Sequence, residues 1–530
     1  MIADSAMEDG VVSLPRYRAM YLDGSLKEDS GLSLQKGKSF RALVRNMKTV
    51  EDNDFEVPPE LDGILRGYQK QGFLWIKTLK ANGFGGILAD DMGLGKTLQV
   101  IAFLLSEWKE SGGNPGRPWL IVCPASLVFN WKSEVERFAP VLPVYAAAGG
   151  AGERKQLLEQ AAREKKGVII TSYELLRRDI DIYTGMDFAC EVIDEAQFIK
   201  NHSTQAARAV KQVPAGFRLA LTGTPVENRL SELWSIFDYL MPGFLFSYSR
   251  FREEMETPIV SREDEETAVR LHKMIRPFVL RRLKKDVLTD LPDKIEKPMM
   301  AVMEGEQSSL YDAHVQRLIA VLTKQTDQEF AGTQIQVLSE LTKLRQICCD
   351  PGLLFDGYEG DSAKTRLCME LIRNAAEGGH KVLLFSQFTS MLERLKSALA
   401  KEKISYYTLD GSTPKVRRLE LVESFNKDDT QVFCISLKAG GTGLNLTAAD
   451  IVIHFDPWWN VAVQNQATDR AHRIGQRNVV TVYKLIAKGT IEEKITALQE
   501  KKKALADSIL GGEEMGRASF TREELMEILK

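Results

Sequence analysis

The sequence predicts an α/β protein built as two parallel-sheet lobes with helical insertions, and three observations predict it. Short apolar runs of strand length alternate with helix-like stretches in two separate tracts of the chain, the pattern that builds a parallel sheet covered by helices on both faces. The first tract contains GGILADDMGLGKTLQVIAFLL, an apolar run that turns on glycines into an amphipathic helix beginning at Lys96. The second tract repeats the alternation without a second GKT, as expected of a partner lobe that completes a shared site. With 530 residues the chain also exceeds what one hydrophobic core usually serves.

Composition excludes several classes. A chain that is 44% hydrophobic and 27% charged is ordinary for a globular protein. No apolar run approaches the ~18 residues of a membrane span, and the N-terminus lacks a signal-peptide pattern, so no membrane partner and a cytoplasmic location are expected. The six cysteines show no CxxC pair, which argues against disulfides and zinc. A formal net charge of −3 does not announce nucleic-acid binding; a DNA partner would need basic residues gathered locally.

In order along the chain, residues 1–60 show little periodicity, carry LPRYRAMYLDGSL and end in Pro58 and Pro59; they read as a linker or the tail of an upstream extension. In LRGYQKQGFLWIKTL, residues Leu65, Tyr68, Gly72, Trp75 and Leu79 fall at helical spacing and are expected to be core. Gln69 differs, since its amide offers both a donor and an acceptor to an adenine edge. In the loop that follows, Gly93, Gly95, Lys96 and Thr97 form a phosphate cradle. Backbone N–H groups and the helix dipole converge there, Lys96 reaches the terminal phosphates and Thr97 holds magnesium. Asp90 occupies the position where a generic phosphate loop has its first glycine.

Further apolar strand candidates, each followed by a helix-like stretch, lie in WLIVCPASLVFNW, GVIITSYELL, FACEVIDEAQ and FRLALTGTPVENR, and ligands of such sheets bind at the strands' carboxyl ends. VIDEAQ delivers Asp194 and Glu195 at one such end, Asp194 to hold magnesium and Glu195 to orient and deprotonate the attacking water. Thr222 and Thr224 reach the same edge, either to sense the γ-phosphate or to cap the next helix. From Glu232 to about Asp350 the alternation gives way to helical, highly charged text, and Arg281, Arg282, Lys284 and Lys285 read as a solvated helix face.

The second alternating tract begins near Ser362, with strands in KVLLFSQF, ISYYTLDGST, VFCISLKAGGTGLNL, DIVIHFD and VVTVYKLI. QNQATDRAHRIGQ reads as a helix after the FDPWWN turn, with Arg470 and Arg473 on one face and Gln466 a turn earlier. Two such arginines can clamp a triphosphate from across a cleft and stabilise charge during phosphoryl transfer. The resulting division is 1–60 linker or tail, 61–295 first lobe with a helical insertion from about 232, 296–360 helical protrusion and linker, 361–510 second lobe, and 511–530 a C-terminal helix.

The ordered set YQKQG, DDMGLGKT, DEAQFIKN, LTGTPVEN, LRRLKKDV with LPDK, LRQICCDP, DGST, KAGGTGLNL, DPWWN and DRAHRIGQ resembles the SWI/SNF-type ATPases of helicase superfamily two, over about Leu65 to Ile495. The resemblance implies two RecA-like lobes of the P-loop NTPase class, ATP and Mg2+ as cofactors, and double-stranded DNA as the track. It implies Gln69 at adenine, Asp91, Met92, Gly93, Leu94, Gly95, Lys96 and Thr97 with Gln466 at the nucleotide, Thr97 and Asp194 at magnesium, and Lys96, Asp194, Glu195, Arg470 and Arg473 in catalysis. DNA-backbone contacts are implied at Ser386, Gln387, Gly411, Ser412, Lys438, Gly441 and Thr442, and Trp458 and Trp459 fall in a family element, although two tryptophans after a strand serve packing equally well. Gln197, Cys349, Asp350 and Val461 depart from the family's usual residues, which bears on coupling rather than on the reacting groups. The N-terminal wording resembles bacterial members that carry a zinc module upstream, so a catalytic fragment is expected. The implied activity is a DNA-stimulated ATPase and duplex translocase, expected as a monomer, that remodels or displaces DNA-bound proteins, RNA polymerase and the nucleoid among its settings. An RNA or single-strand helicase and an ATP-gated binding protein are the alternatives.

Overall fold

The computed structural model describes residues 7–8, 11–12, 15–25, 36–50, 53–223, 230–262, 264–288, 291–324, 327–358, 360–437, 444–458 and 461–497. The chain forms two compact units that change over between Val287 and Leu288. Among the described residues no helix is long and apolar enough to cross a membrane.

The N-terminal residues, expected as a linker or the tail of an upstream extension, carry secondary structure. A short antiparallel ladder pairs β1 (Met7–Glu8) with β2 (Val11–Val12), and helices follow at Arg18–Ser25 and Lys38–Lys48. The second buries Leu43, Val44 and Met47 and packs on the helix Gly67–Asn82. Asp23 pairs with both Lys36 and Lys48, an ion-paired tie that hydrophobic periodicity alone does not reveal.

The first unit is built on a seven-stranded sheet. Its strands are β3 (Gly86–Leu88), β4 (Trp119–Cys123), β5 (Val144–Ala146), β6 (Val168–Ser172), β7 (Cys190–Asp194), β8 (Arg218–Leu221) and β9 (Val279–Leu280). The spatial order is β5-β6-β4-β7-β8-β3-β9, and every pairing is parallel. β4 and β6 are buried along their whole length, as expected of parallel strands covered on both faces. The consequence for function lies in the order: β3, β8 and β7 are neighbours, so the loops at their carboxyl ends meet.

The second unit carries a six-stranded, all-parallel sheet. Its strands are β10 (Lys294–Ala301), β11 (Val382–Ser386), β12 (Tyr406–Leu409), β13 (Val432–Ser436), β14 (Ile451–His454) and β15 (Val480–Ala487), in the order β10-β15-β14-β11-β13-β12. Helices Gly305–Lys324 and Asp327–Cys349 share a core with Ile491 and Ile495 through Leu318, Leu322, Leu341 and Leu344. None of the six cysteines forms a disulfide, and all are buried.

Two strands interrupt the segment expected to be helical between 232 and 350. β9 extends the first sheet, and β10 pairs with β15 over eight residues, from Lys294 with Val480 to Ala301 with Ala487. β10 therefore belongs to the second sheet rather than to the end of a first lobe at 295. It is an edge strand that exposes most of its side chains and contains Pro298, so it offers no alternating pattern. The C-terminal helix expected at 511–530 lies outside the described residues.

Candidate nucleotide-binding site

β3 runs into residues 89–95 and then into the helix Lys96–Glu110. Gly93 and Gly95 adopt φ of 85° and 75°, left-handed backbone that a β-carbon resists. At Gly95 a Cβ would also come within 2.4 Å of Gln69 Nε2. The helix therefore begins directly on a glycine turn, with its unpaired N–H groups and the positive end of its dipole at the loop. Lys96 Nζ donates to the carbonyl oxygens of Asp90 at 2.5 Å and Asp91 at 3.5 Å, which holds the ammonium over the loop.

β7 supplies the carboxylates. Asp194 Oδ2 accepts from the Trp131 indole at 2.8 Å, and Oδ1 accepts from the Glu195 amide at 2.9 Å. Desolvation raises the affinity of Asp194 for a proton, and the Trp131 bond and the Lys96 charge oppose it. Glu195 takes φ 54°, a conformation that costs a residue other than glycine about 1–3 kcal/mol and is common where chemistry fixes the backbone. Its Oε2 accepts from Gln197 Nε2 at 2.8 Å, and Gln197 Oε1 accepts from the Thr222 hydroxyl at 3.3 Å. Thr222 directly follows β8 and is fully buried. The ends of β7 and β8 are thus joined through one glutamine amide. Thr224 lies outside the described residues.

These residues fit a magnesium nucleotide. Magnesium favours hard oxygen donors and is usually held by one or two protein oxygens plus phosphate oxygens. Thr97 and Asp194 supply such donors, and Asp194 is a desolvated carboxylate that feels Lys96. Among the described residues no group of three or more His, Cys, Asp or Glu side chains could hold a metal alone, so phosphate oxygens would complete the shell.

Gln69 is buried and bonded into the loop. Its Oε1 accepts from the Arg66 amide at 2.9 Å, and its Nε2 donates to the Leu94 carbonyl at 3.0 Å. Tyr68 Oη donates to the same carbonyl at 3.0 Å. One hydrogen and one lone pair of the amide remain for another partner. Asp91 Oδ2 accepts from the Lys284 amide at 3.0 Å, and Met92 Cγ would stand 3.3 Å from a Cβ on Gly223.

Two sequence expectations about charged residues change. Arg282 and Lys284 do not form a solvated face: Lys284 is buried, and the Arg282 side chain is 11% exposed and paired with Asp90. Charge runs usually mark solvent-facing surface, but here the counter-ion lies far upstream in sequence. Arg470 and Arg473 do not lie on a helix either. The helix Val461–Thr468, which carries Gln466, stops before them. Thr468 Oγ1 pairs with His454 Nε2 at 2.9 Å, Gly475 has φ 105°, and Gln476 Nε2 donates to Ala449 and Ala471 carbonyls at 2.8 and 3.1 Å. These tertiary bonds pull the chain into a turn. Arg470 is buried, its carbonyl accepting from Leu446 at 3.0 Å, and Arg473 Nη1 donates to the Leu444 carbonyl at 3.4 Å.

The residues expected at DNA divide. Ser386 is fully buried and donates to Asp456 Oδ1 at 2.6 Å, because a buried carboxylate needs donors; it is an interior brace, not a surface contact. Gln387 follows it with its amide N–H on Asp456 at 3.2 Å and its Oε1 accepting from Arg345 at 3.1 Å. Gly411 and Ser412 are exposed, in a turn held by Asp410 Oδ1, which accepts from Ser412 N at 2.8 Å and Oγ at 2.6 Å. Lys438, Gly441, Thr442 and Trp459 lie outside the described residues. Trp458 packs against the second unit's core. Asp350, a departure from the family residue, caps the turn after it through Gly352 N at 2.8 Å and pairs with Arg394 Nε at 2.8 Å.

A parallel sheet with a glycine phosphate loop on β3 and an Asp-Glu pair on β7, followed by a second parallel-sheet unit, defines the class: an ATPase of helicase superfamily two. Residues 68–353 match the SNF2-related domain, 363–475 the helicase conserved C-terminal domain, and 1–58 the bacterial SNF2 helicase associated domain. The chain belongs to the SNF2-related family. It is 41% identical to an uncharacterized ATP-dependent helicase of Mycoplasma pneumoniae over 92% of this chain and 46% of that one. It is also 41% identical to the putative ATP-dependent helicase/translocase YwqA of Bacillus subtilis over 91% of this chain and 53% of that one. It is 34% identical to the TATA-binding protein-associated factor MOT1 of Saccharomyces cerevisiae over 95% of this chain and 30% of that one. The chain spans about half the length of the two bacterial relatives.

Proposed function

We propose that this chain hydrolyses ATP to move along double-stranded DNA and thereby remodels or displaces proteins bound to it. The observation that carries the ATPase part is the meeting of three adjacent strand ends: the β3 loop with Lys96, the β8 end with Thr222, and the β7 end with Asp194 and Glu195. The loop amides and Lys96 bind the phosphates, and Thr97 and Asp194 hold magnesium, which would neutralise charge on the phosphate oxygens. Glu195, fixed by Gln197, orients the attacking water and takes its proton. Gln69 uses its remaining valences on adenine, Gln466 adds to nucleotide binding, and Arg470 and Arg473 stabilise the charge that develops on transfer.

The duplex track and the displaced protein rest on the relatives: YwqA is named a helicase/translocase and MOT1 a factor associated with a TATA-binding protein. Gln387, Gly411 and Ser412, with Lys438, Gly441 and Thr442, are the proposed backbone contacts. The test is displacement of a protein roadblock from linear duplex DNA. ATP-dependent displacement without strand separation supports the proposal; strand separation, or displacement that proceeds equally with a non-hydrolysable analogue, opposes it.

A further inference from the structure

Asp90, which stands where a generic phosphate loop has glycine, is fully buried. A buried carboxylate persists only if it is paired and hydrogen-bonded, and its partners are unusual in where they come from. Arg282 approaches it side-on in a bidentate fork, Nε to Oδ1 at 2.8 Å and Nη2 to Oδ2. Gln99, from the first turns of the phosphate-loop helix, donates to Oδ2 at 3.1 Å and accepts from Arg282 Nη2 at 2.8 Å. Arg282 Nη1 donates to the Tyr68 carbonyl, and the guanidinium lies 5.2 Å from the centre of the Tyr68 ring. The backbone makes the same connection: Ala89 N donates to Leu280 O at 2.7 Å, Asp91 N to Arg282 O at 3.0 Å, and Lys284 N to Asp91 Oδ2 at 3.0 Å.

The arrangement also explains a glycine. A Cβ on Gly72 would lie 1.8 Å from Gln99 Oε1 and 2.8 Å from Arg282 Nη2, so a side chain there would push these two groups out of the places they take beside Asp90. Arg282 sits shortly before Val287, where the chain leaves the first unit for the second.

We infer that Asp90, Arg282, Gln99 and Gly72 form a positioning tie that sets the shape of the phosphate loop from the crossing segment 280–284. None of the four is assigned a reacting atom. They act through the loop, Asp90 presenting the carbonyl that receives Lys96 and Gln69 and Tyr68 fixing Leu94 from the helix that Arg282 also grips. The inference rests on the ATPase reading above.

The test is a double-mutant cycle on ATP affinity, read without DNA on protein whose thermal melting shows a folded first unit. Asp90→Asn and Arg282→Met are each expected to weaken ATP binding about tenfold, and the double variant no more than the worse single one. Arg282→Lys, which keeps the charge and loses the fork, is expected to fall between wild type and Arg282→Met, and Gly72→Ala to reproduce Arg282→Met. Affinities within twofold of wild type, or losses that multiply in the double variant, overturn the inference. Failure of Arg282→Lys to fold does so as well, since it would assign the pair to folding alone. Folded wild-type protein that binds no ATP would instead overturn the ATPase reading and the inference with it, an outcome distinct from wild type that binds ATP and variants that bind it equally well.

Discussion

Replacing Gln197 by leucine is expected to lower kcat for ATP hydrolysis about 10- to 100-fold while leaving KM for ATP nearly unchanged. Gln197 donates to Glu195 Oε2 at 2.8 Å, and a hydrogen bond to a charged group is worth about 1.5–3 kcal/mol. Glu195 sits in left-handed backbone, so without that bond its carboxylate has less to hold it where the water must be activated. If the full bond is lost from the transition state, its energy corresponds to that range of rate. The second link in the chain is weaker: Thr222 donates to Gln197 at 3.3 Å, and a neutral bond of about 0.5–1.5 kcal/mol predicts a two- to tenfold loss for Thr222→Val. Steady-state ATPase kinetics on the two variants, with thermal melting to establish folding, separate these effects. A Gln197→Leu enzyme with unchanged kcat, or a Thr222→Val enzyme more damaged than it, would refute the relay.

Other variants read different parts of the molecule. Glu191 lies within β7, 3.5 Å from Arg218 Nε, and burial pushes its pKa from 4.5 up to about 8 despite that charge. Its stabilising contribution is therefore complete below its ordinary value and is lost as pH rises through about 8, at up to ~1.4 kcal/mol per pH unit in between. Glu191→Gln is expected to flatten the fall in Tm between pH 5 and 8 and to raise Tm at pH 8; parallel curves for the two proteins would contradict this. In the second unit Lys364 and Glu492 pair at 2.5 Å with both side chains fully buried. Lys364→Met should cost about 3–5 kcal/mol because a lone charge stays inside, and Lys364→Met with Glu492→Leu should recover more than half, read from urea midpoints. Trp131→Phe removes a donor from Asp194, so the magnesium concentration for half-maximal ATPase at pH 6.5 should rise several-fold, with an unchanged titration counting against Asp194 as the magnesium residue.

Fixed spacing made the phosphate loop legible. GLGKT between an apolar strand and an amphipathic helix admits few structures, and Asp194 and Glu195 were placed by the same strand-end logic. What sequence withheld depended on long-range pairing. Arg282 looked solvent-facing because nothing near it in sequence is its partner, and Asp90 looked like a departure for the same reason. β10 gave no strand signal since an exposed edge strand with a proline satisfies itself only through β15, far downstream. The turn at Arg470 and Arg473 was read as helix because its residues suit one, yet Gly475 and the side chain of Gln476 were the available signals of an ending. The resemblance implies Ser386 at the DNA backbone; its burial against the buried Asp456 depends on a pairing far downstream in sequence that local pattern does not show.

The most direct measurement is the steady-state ATPase rate with no polymer, with linear duplex DNA, with single-stranded DNA and with RNA, using Lys96→Ala as the inactive control. Duplex DNA is expected to stimulate hydrolysis at least tenfold and more than either other polymer. A rate unmoved by duplex DNA, or raised only by RNA, would contradict the proposed translocase.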